Sequence, residues 1–413
     1  MLTASTRDVI AATLPAVEGA LGEITPNFYR RMFAAHPDLL DDLFNRTHQR
    51  TGEQPMALAG SIAAFAHLQL EPDLRRQRFI IDRIAHKHAS LGVTADQYAV
   101  VHEHLFGAIV EVLGDAVTPE VANAWDELYW EMADVLVREE NGLYAEAGVS
   151  PGRVWRDLVV LRREQVSPDA VSFTLARGDG GDLPRFTPGQ YISVQVPLAD
   201  GARQIRQYSL VGSPSVRAEW RISVKSAGEV STHIHENLFE GDMLHVSMPF
   251  GDLILPEDDS PLLLASAGIG CTPVIGLLTA LSESGTHRQV TVLHADHSRA
   301  GQPHRGQLGT LVDSIDTARL YQWYREGVDG LWSDTVRRGR MSLDGIDLVD
   351  GVHAMLCGPT GFLDSMRTQL LERDVPESRI HFETFGPELL RTGAAASSQG
   401  SRASEHRGAA NTL

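Results

Sequence analysis

The stretch Pro261–Pro273 reads PLLLASAGIGCTP: an apolar run of strand length, then Gly268-Ile269-Gly270, then Cys271-Thr272-Pro273 where a helix should begin. A glycine turn between a strand and a helix lets backbone approach a pyrophosphate closely and aims the helix N-terminal N–H groups at it. One such turn is weak evidence, because tight turns after strands often need glycine for sterics alone. A second loop raises its weight: Cys357-Gly358-Pro359-Thr360-Gly361-Phe362 leaves the end of another apolar run, HAMLC. Ligands of open α/β sheets bind outside the carboxyl ends of the strands, where both loops would lie. The runs PLLLASA, QVTVLHA, HAMLCG and RIHFETF alternate with helical segments, so residues 260–390 are expected to form an α/β unit on a parallel sheet. Glu383-Thr384-Phe385-Gly386-Pro387 closes it and offers a ring that could cover a planar cofactor. Cys271 reads as a small packing residue, although its thiol could face the ligand. Ser298-Arg299 reads either as a contact to a 2′-phosphate or as a solvated surface pair.

Upstream the pattern changes. Residues 153–256 carry short β-rich runs, VSFTL, QYISVQV, WRISVK and DMLHVSM, separated by turn residues as in a small antiparallel barrel. Arg206-Gln207-Tyr208-Ser209-Leu210, placed after a barrel strand, offers a forked donor for a diphosphate, a flat ring face and a hydroxyl. An ordinary strand with one exposed Arg is the alternative. Tyr191 of Pro188-Gly189-Gln190-Tyr191 lies before it. Val230 and Ser231 of Gly228-Glu229-Val230-Ser231 lie after it, ahead of a helix-like segment whose N–H groups could receive phosphate.

Residues 1–147 show helical periodicity and almost no strand signal. Apolar residues recur at three and four residue spacing in 24–33, 56–68, 74–88, 96–113 and 119–144, with breaks at Pro37, Pro72, Gly92 and Pro119. This is an all-α block, joined to the barrel by Gly148–Gly152. Within Ile81–Tyr98, IDRIAHKHASLGVTADQY, His86 and His88 stand two apart and point roughly 200° from each other on a helix. Ile80, Ile81, Ile84 and His88 share one face, whereas His86 falls with Arg83 and Lys87 on the wetter side. A buried His88 can hold a metal or can simply hydrogen-bond a backbone carbonyl.

The totals narrow the class. At 413 residues the chain needs two or three domains, and a formal charge of -18 disfavours nucleic acid and anionic membrane as partners. There is no run of about 20 apolar residues and no basic-then-apolar leader, so a cytoplasmic protein is expected. Cys271 and Cys357 are the only cysteines, in no CxxC or CxxCH arrangement, which leaves disulfide scaffolding, structural zinc and thioether-bound haem unsupported.

RQYSL, GIGCTP, CGPTGF and ETFGP, in this order on a barrel and an α/β block, resemble the ferredoxin-NADP reductase superfamily. That resemblance implies FAD on the barrel and NADH or NADPH on the α/β unit. With the helical block in front, the whole of 1–390 resembles the flavohaemoglobins. The matching residues there are Asn27–Phe33 (NFYRRMF), Leu43-Phe44-Asn45 ahead of Gln49-Arg50, Gly52-Glu53-Gln54, Lys87-His88 and Asp96-Gln97-Tyr98. The resemblance makes 1–147 a globin domain with haem b iron held by His88. It places Tyr29, Gln54 and Leu58 on the distal side, Phe44 against the porphyrin and Lys87 among the cofactor contacts. Tyr98 and a glutamate would hydrogen-bond the imidazole. The family's Arg-Glu pair matches Arg138-Glu139 in letters, but counting from Trp125 or Tyr144 gives Glu140; a one-residue step turns a helix by about 100°, so only one can face His88. Register favours Glu140.

The function so implied is NAD(P)H-dependent conversion of NO and O2 to nitrate by a nitric oxide dioxygenase, with no obligate protein partner. Two rivals stand beside it: a haem-based O2 or NO sensor with an attached reductase, and a flavin reductase that serves another protein and uses its helices for docking. The 391–413 tail is small and polar, and is expected to be disordered.

Overall fold

The computed structural model describes residues 2–37, 39, 63, 65–67, 69–70, 74–327, 330 and 332–385. Phe44, Gln54, Leu58, Gly386, Pro387 and the 391–413 tail lie outside the described residues.

Among the described residues the first block holds the long helices α1 (Ala4–Ala35), α2 (Leu74–Leu91), α3 (Ala95–Leu113) and α4 (Pro119–Glu146). Helix α1 is longer than the periodicity of 24–33 suggests. It runs through Pro15 and Pro26, each of which removes a ladder hydrogen bond, because Ile10, Leu14, Val17, Ile24 and Phe28 along one side are buried against α3 and α4. Burial outweighs the local cost. Its start is capped by Thr3, whose Oγ accepts from Thr6 N at 3.1 Å. Gln97 Oε1 accepts from Thr94 N at 2.9 Å at the start of α3, and Pro119 opens α4 behind the Thr118 cap. Among the described residues no helix is long and apolar enough to cross a membrane.

The second block is an antiparallel sheet in the order β4-β3-β6-β1-β2-β5, with β1 (Trp155–Ser167), β2 (Ala170–Ala176), β3 (Tyr191–Pro197), β4 (Arg203–Ser209), β5 (Trp220–Lys225) and β6 (Met243–Ser247). RQYS does not follow a strand, as the sequence suggested. It is the end of β4, where Tyr208 pairs with Ile192 and Ser209 with Tyr191. The run RQIRQYS is polar because only Gln204, Ile205 and Ser209 in it are buried, so it carries no apolar strand signature. Helix α5 (Glu229–Asn237) follows β5 and starts at Glu229.

The third block is a parallel sheet in the order β10-β9-β8-β7-β11-β12. It contains β7 (Leu262–Ala267), β8 (Val290–Ser298), β9 (Ala318–Glu326), β10 (Val336–Arg338), β11 (His353–Cys357) and β12 (Ile380–Glu383), with helices α6 (Cys271–Ser284), α7 (Arg305–Asp313) and α8 (Thr360–Leu371). The central strands β7, β8 and β11 are the apolar runs seen in the sequence. The outer strands β9 and β10 were missed, since ARLYQWYRE and VRR face solvent over much of their length.

Candidate functional site

His88 sits on α2 with its Nδ1 2.8 Å from Glu140 Oε1 and 2.9 Å from the Tyr98 hydroxyl. Tyr98 in turn donates to the same Glu140 oxygen at 2.5 Å. Glu140 is only 2 % exposed, and a buried carboxylate is tolerable only when its oxygens are satisfied, which is what the imidazole N–H and the phenol do. Burial, reinforced by the Glu140 charge, raises the Tyr98 pKa and keeps it a phenol that donates. Tyr129 holds the α3 backbone by donating to the Tyr98 carbonyl at 2.6 Å. Glu139, one residue earlier on α4, points elsewhere and pairs with Arg78 at 3.3 Å. With Nδ1 committed to the carboxylate, Nε2 is the ring nitrogen that can offer a lone pair to iron. Among the described residues no group of three or more His, Cys, Asp or Glu could hold an ion, so this donor set suits a metal that brings its other ligands with it. Tyr29 of α1 is buried between Phe28 and Phe33, at ring separations of 4.7 and 5.5 Å.

The face of α2 that the sequence marks as wet is not solvated. It docks on the other two blocks. Lys87 Nζ donates to Gln207 Oε1, Gln207 Nε2 to Ser193 Oγ at 2.9 Å, Ser193 Oγ to Ser90 Oγ at 3.0 Å, and Ser90 Oγ back to the Lys87 carbonyl at 2.8 Å. This closed ring ties α2 to β3 and β4. Gly251 N donates to His86 Nδ1 at 3.0 Å, and burial lowers the His86 pKa, which keeps that acceptor neutral. Arg83 reaches Asp252 at 3.2 Å, donates to the Phe382 carbonyl and stacks against the rings of Phe79 and Phe382 at 5.1 and 4.5 Å. A row of charged and polar residues on a helix reads as solvated unless the partner surface is known. That is why Arg83, His86, Ser90, Ser193 and Asp252 escaped the sequence reading.

On the β4 end, Ser209 Oγ is buried with no hydrogen-bond partner among the described residues, an acceptor and donor set aside for a ligand. Burial lowers the Arg206 pKa and raises those of Tyr208 and Tyr191. Glu383, at the end of β12, faces the same region with its Oε2 buried and unpartnered. Burial pushes its carboxyl up to about 8, and burial pulls the Lys87 ammonium down to about 8. Its position inside ETFGP was visible in the sequence, but its burial was not. Because the folded pKa lies above the unfolded value, Glu383 favours the folded state at acid pH, and this contribution is lost as pH rises from about 4.5 towards 8. Glu383→Gln is expected to match the parent's denaturation midpoint at pH 4 and exceed it at pH 9; equal midpoints at both would show that the carboxyl is not held protonated.

At the β7 end, Gly268 adopts φ +56°, and a Cβ on Gly270 would lie 2.3 Å from the Cys357 carbonyl oxygen. The two loops, Gly268–Pro273 and Cys357–Pro359, are thereby brought into contact at adjacent strand ends, and only glycine permits it. Ile269 lies between the two glycines in a 3-10 turn, and Thr272 Oγ donates to its carbonyl at 3.0 Å. Pro273 is in the first turn of α6, where its missing N–H costs nothing. Cys271 is fully buried, and burial pushes its thiol up to about 12, so it packs and is not a nucleophile. Val230 is buried. Ser231 Oγ accepts from Ala227 N and Gly228 N at 3.0 Å each, which commits it to the start of α5. Thr384 is partly buried and Phe385 is 44 % exposed beyond β12.

Comparison with known proteins accounts for this arrangement. The Globin family model matches residues 26–136, and the oxidoreductase FAD-binding domain model matches residues 157–254. Flavohemoproteins of Bordetella pertussis and Deinococcus radiodurans are 38 % and 39 % identical over 400 and 398 residues, each covering 94 % of this chain and 99 % and 98 % of their own. The crystal structure of a flavohemoglobin from Malassezia yamatoensis with bound FAD and haem superposes with a TM-score of 0.86 at 37 % identity, over 93 % of this chain and 100 % of that one. The FAD/NAD-binding part of a nitric oxide dioxygenase from Vibrio cholerae matches 57 % of this chain and 100 % of its own, at 34 % identity and a TM-score of 0.53. A helical block with an imidazole backed by a buried carboxylate, an antiparallel FAD-type sheet and a parallel sheet, in this order and at this identity, place the chain in the flavohemoprotein family, as an oxidoreductase.

Proposed function

We propose that the protein is a nitric oxide dioxygenase that converts NO and O2 to nitrate using NADH or NADPH, with haem b at His88, FAD along Arg206–Ser209 and the dinucleotide at the Gly268–Pro273 turn. The observation that carries this reading is the His88–Glu140–Tyr98 cluster. An imidazole hydrogen-bonded to a buried carboxylate is more electron-donating than one bonded to a carbonyl, which suits oxygen chemistry better than reversible storage. Bound along Arg206–Ser209, FAD would supply the conversion of a hydride into single electrons, and haem held by His88 would supply a redox-active iron for the gas chemistry. The chain's own residues do the positioning. Glu140 fixes the His88 ring with Nδ1–H turned away from the ligand side, and Tyr98 holds Glu140 by a second hydrogen bond. Tyr29 supplies a buried hydroxyl on α1. Gln207 lies in strand between Arg206 and Tyr208 and bonds Lys87, which precedes His88, so the flavin strand and the iron helix are in direct side-chain contact. The unpartnered Ser209 Oγ fits a polar ring or ribityl atom.

Anaerobic protein reduced with NADH and then given O2 and NO should consume NO and yield nitrate, with Glu140→Gln slower by about 10- to 100-fold while flavin bleaching by NADH keeps its rate. NADH oxidation by haem-loaded protein without NO loss would overturn the reading.

A further inference from the structure

Aromatic rings run from the His88 cluster to the surface of the helical block. Tyr98 lies 6.0 Å from the His88 ring, centroid to centroid. Tyr129 donates its hydroxyl to the Tyr98 carbonyl at 2.6 Å, and its own ring meets Trp130 at 5.3 Å and His102 at 5.0 Å. His102 stacks on Trp130 at 5.0 Å and on Phe106 at 4.3 Å, with interplanar angles of 28° and 25°. Its Nε2 donates to Asp126 Oδ1 at 2.7 Å, which fixes the imidazole in that stack. Tyr98 and Tyr129 are buried, whereas Trp130 keeps 37 % of its surface in solvent. The series therefore has one end at the proposed iron ligand and the other in water.

Phenol and indole rings give up single electrons more readily than most side chains, and each step here is a ring contact or one hydrogen bond. A tyrosine is easier to oxidise when a base can take its proton at the same moment. Glu140 Oε1, 2.5 Å from the Tyr98 hydroxyl, is such a base. The Tyr129 hydroxyl meets a carbonyl, which takes no proton, so an electron vacancy does not settle there and passes to the indole of Trp130. Asp126 and Asp134 stand four residues to either side of Trp130 on α4, in a chain of formal charge -18. A neutral or cationic donor can approach that surface, and an anionic one is repelled.

We propose that Trp130 is a surface oxidation site, through which the haem-loaded protein draws electrons from small aromatic amines when it meets a peroxide. This goes beyond the nitric oxide reaction and rests on haem at His88. Hydrogen peroxide takes up two electrons and two protons, its O–O bond breaks, and it leaves as two water molecules. Each electron departs from Tyr98 towards the iron while the phenol proton moves to Glu140. Tyr129 then refills Tyr98, which recovers its proton, Trp130 refills Tyr129, and an amine refills Trp130. Two amine molecules each end one electron poorer, and solvent supplies the two protons.

The test is peptide mapping by mass spectrometry of the FAD- and haem-loaded protein after exposure to hydrogen peroxide with no amine present. Trp332 is the internal control, since it is also 37 % exposed but lies in the third block. Oxygen addition should favour Trp130 over Trp332 by about tenfold, whereas exposure alone would treat the two alike. Haem-free protein should show no preference. In Tyr129→Phe, which keeps a ring but not an oxidisable phenol, the Trp130 yield should fall to that of Trp332. In Trp130→Phe, peroxide-dependent oxidation of tetramethyl-p-phenylenediamine should drop about tenfold while NADH-driven haem reduction keeps the parent rate. Both variants should retain the ferric Soret band, which shows that fold and haem seat survive. Equal oxidation of Trp130 and Trp332 in the parent, or a Trp130 preference that Tyr129→Phe leaves intact, overturns the proposal while the Soret band still attests the haem. Parent protein that takes up no haem sinks the reading of His88, and the proposal with it.

Discussion

His88→Ala protein, expressed with haem supplied, is expected to show no Soret band while keeping its flavin spectrum. The reason lies in the donor set. His88 Nε2 is the nitrogen that its hydrogen bonds leave for iron, and no cluster of three or more metal-binding side chains exists elsewhere among the described residues to replace it. The loss should be near total for haem retained through gel filtration, and NADH should still bleach the flavin, because the Arg206–Ser209 strand and the Gly268–Pro273 loop do not depend on the imidazole. Full haem retention in the variant would remove His88 from its proposed role. Truncation to alanine also leaves Glu140 with only Tyr98 as partner, so a His88→Gln variant, which can still donate to the carboxylate, separates loss of the ligand from collapse of a buried charge.

The second large effect is expected at Arg83. Its guanidinium is 14 % exposed, bonds Asp252 and the Phe382 carbonyl, and lies between two phenyl faces. Removing one partner of a buried, hydrogen-bonded pair costs about 3–5 kcal/mol, and reversing its charge sets two carboxylates together at the junction. In Arg83→Glu, NADH should reduce the flavin at the parent rate, while the haem spectrum responds at least tenfold more slowly, because the helix that carries His88 loses its hold on Asp252 and on the end of β12. Arg83→Lys keeps the charge but not the fork or the stacking, and should recover part of the rate. If flavin and haem reduction slow in step, the residue supports overall stability and does not position the two halves. Equal rates in parent and Arg83→Glu protein would dismiss it altogether.

The three-block order was legible in the sequence for clear physical reasons. Central parallel strands are buried on both faces, so PLLLASA and HAMLC had to be apolar, and the glycine loops had to follow them. Register on α4 could be counted from Trp125 and Tyr144, and Glu140 is the residue that meets His88, while Glu139 meets Arg78. What escaped was whatever depends on a neighbour distant in sequence. The face of α2 carrying Arg83, His86 and Lys87 has the composition of a wet surface, yet the barrel covers it. Strand β4 is mostly polar, so RQYSL reads as following a barrel strand, and the alternative of an ordinary strand is the one that describes its backbone. Gln302 could not be singled out at all. Its amide oxygen accepts from Gln322 and Tyr324 of β9, contacts between residues about twenty apart that no sequence pattern announces.

The covalent join between the helical block and the remainder is the short Gly148–Gly152 stretch, but the mechanical join is α2. Ala89 packs with Tyr144, Val154, Met248 and Phe250, and the polar ring through Lys87, Ser90 and Gln207 flanks it along the helix. Cutting the backbone in that stretch should therefore leave a nicked particle that travels as one species, whereas a single-residue insertion within α2 would turn His88 away from Glu140 or Arg83 away from Asp252. The protein is divisible at its linker and indivisible at its helix, so the two halves cannot be exchanged between relatives as independent modules unless α2 travels with the surface on which it rests.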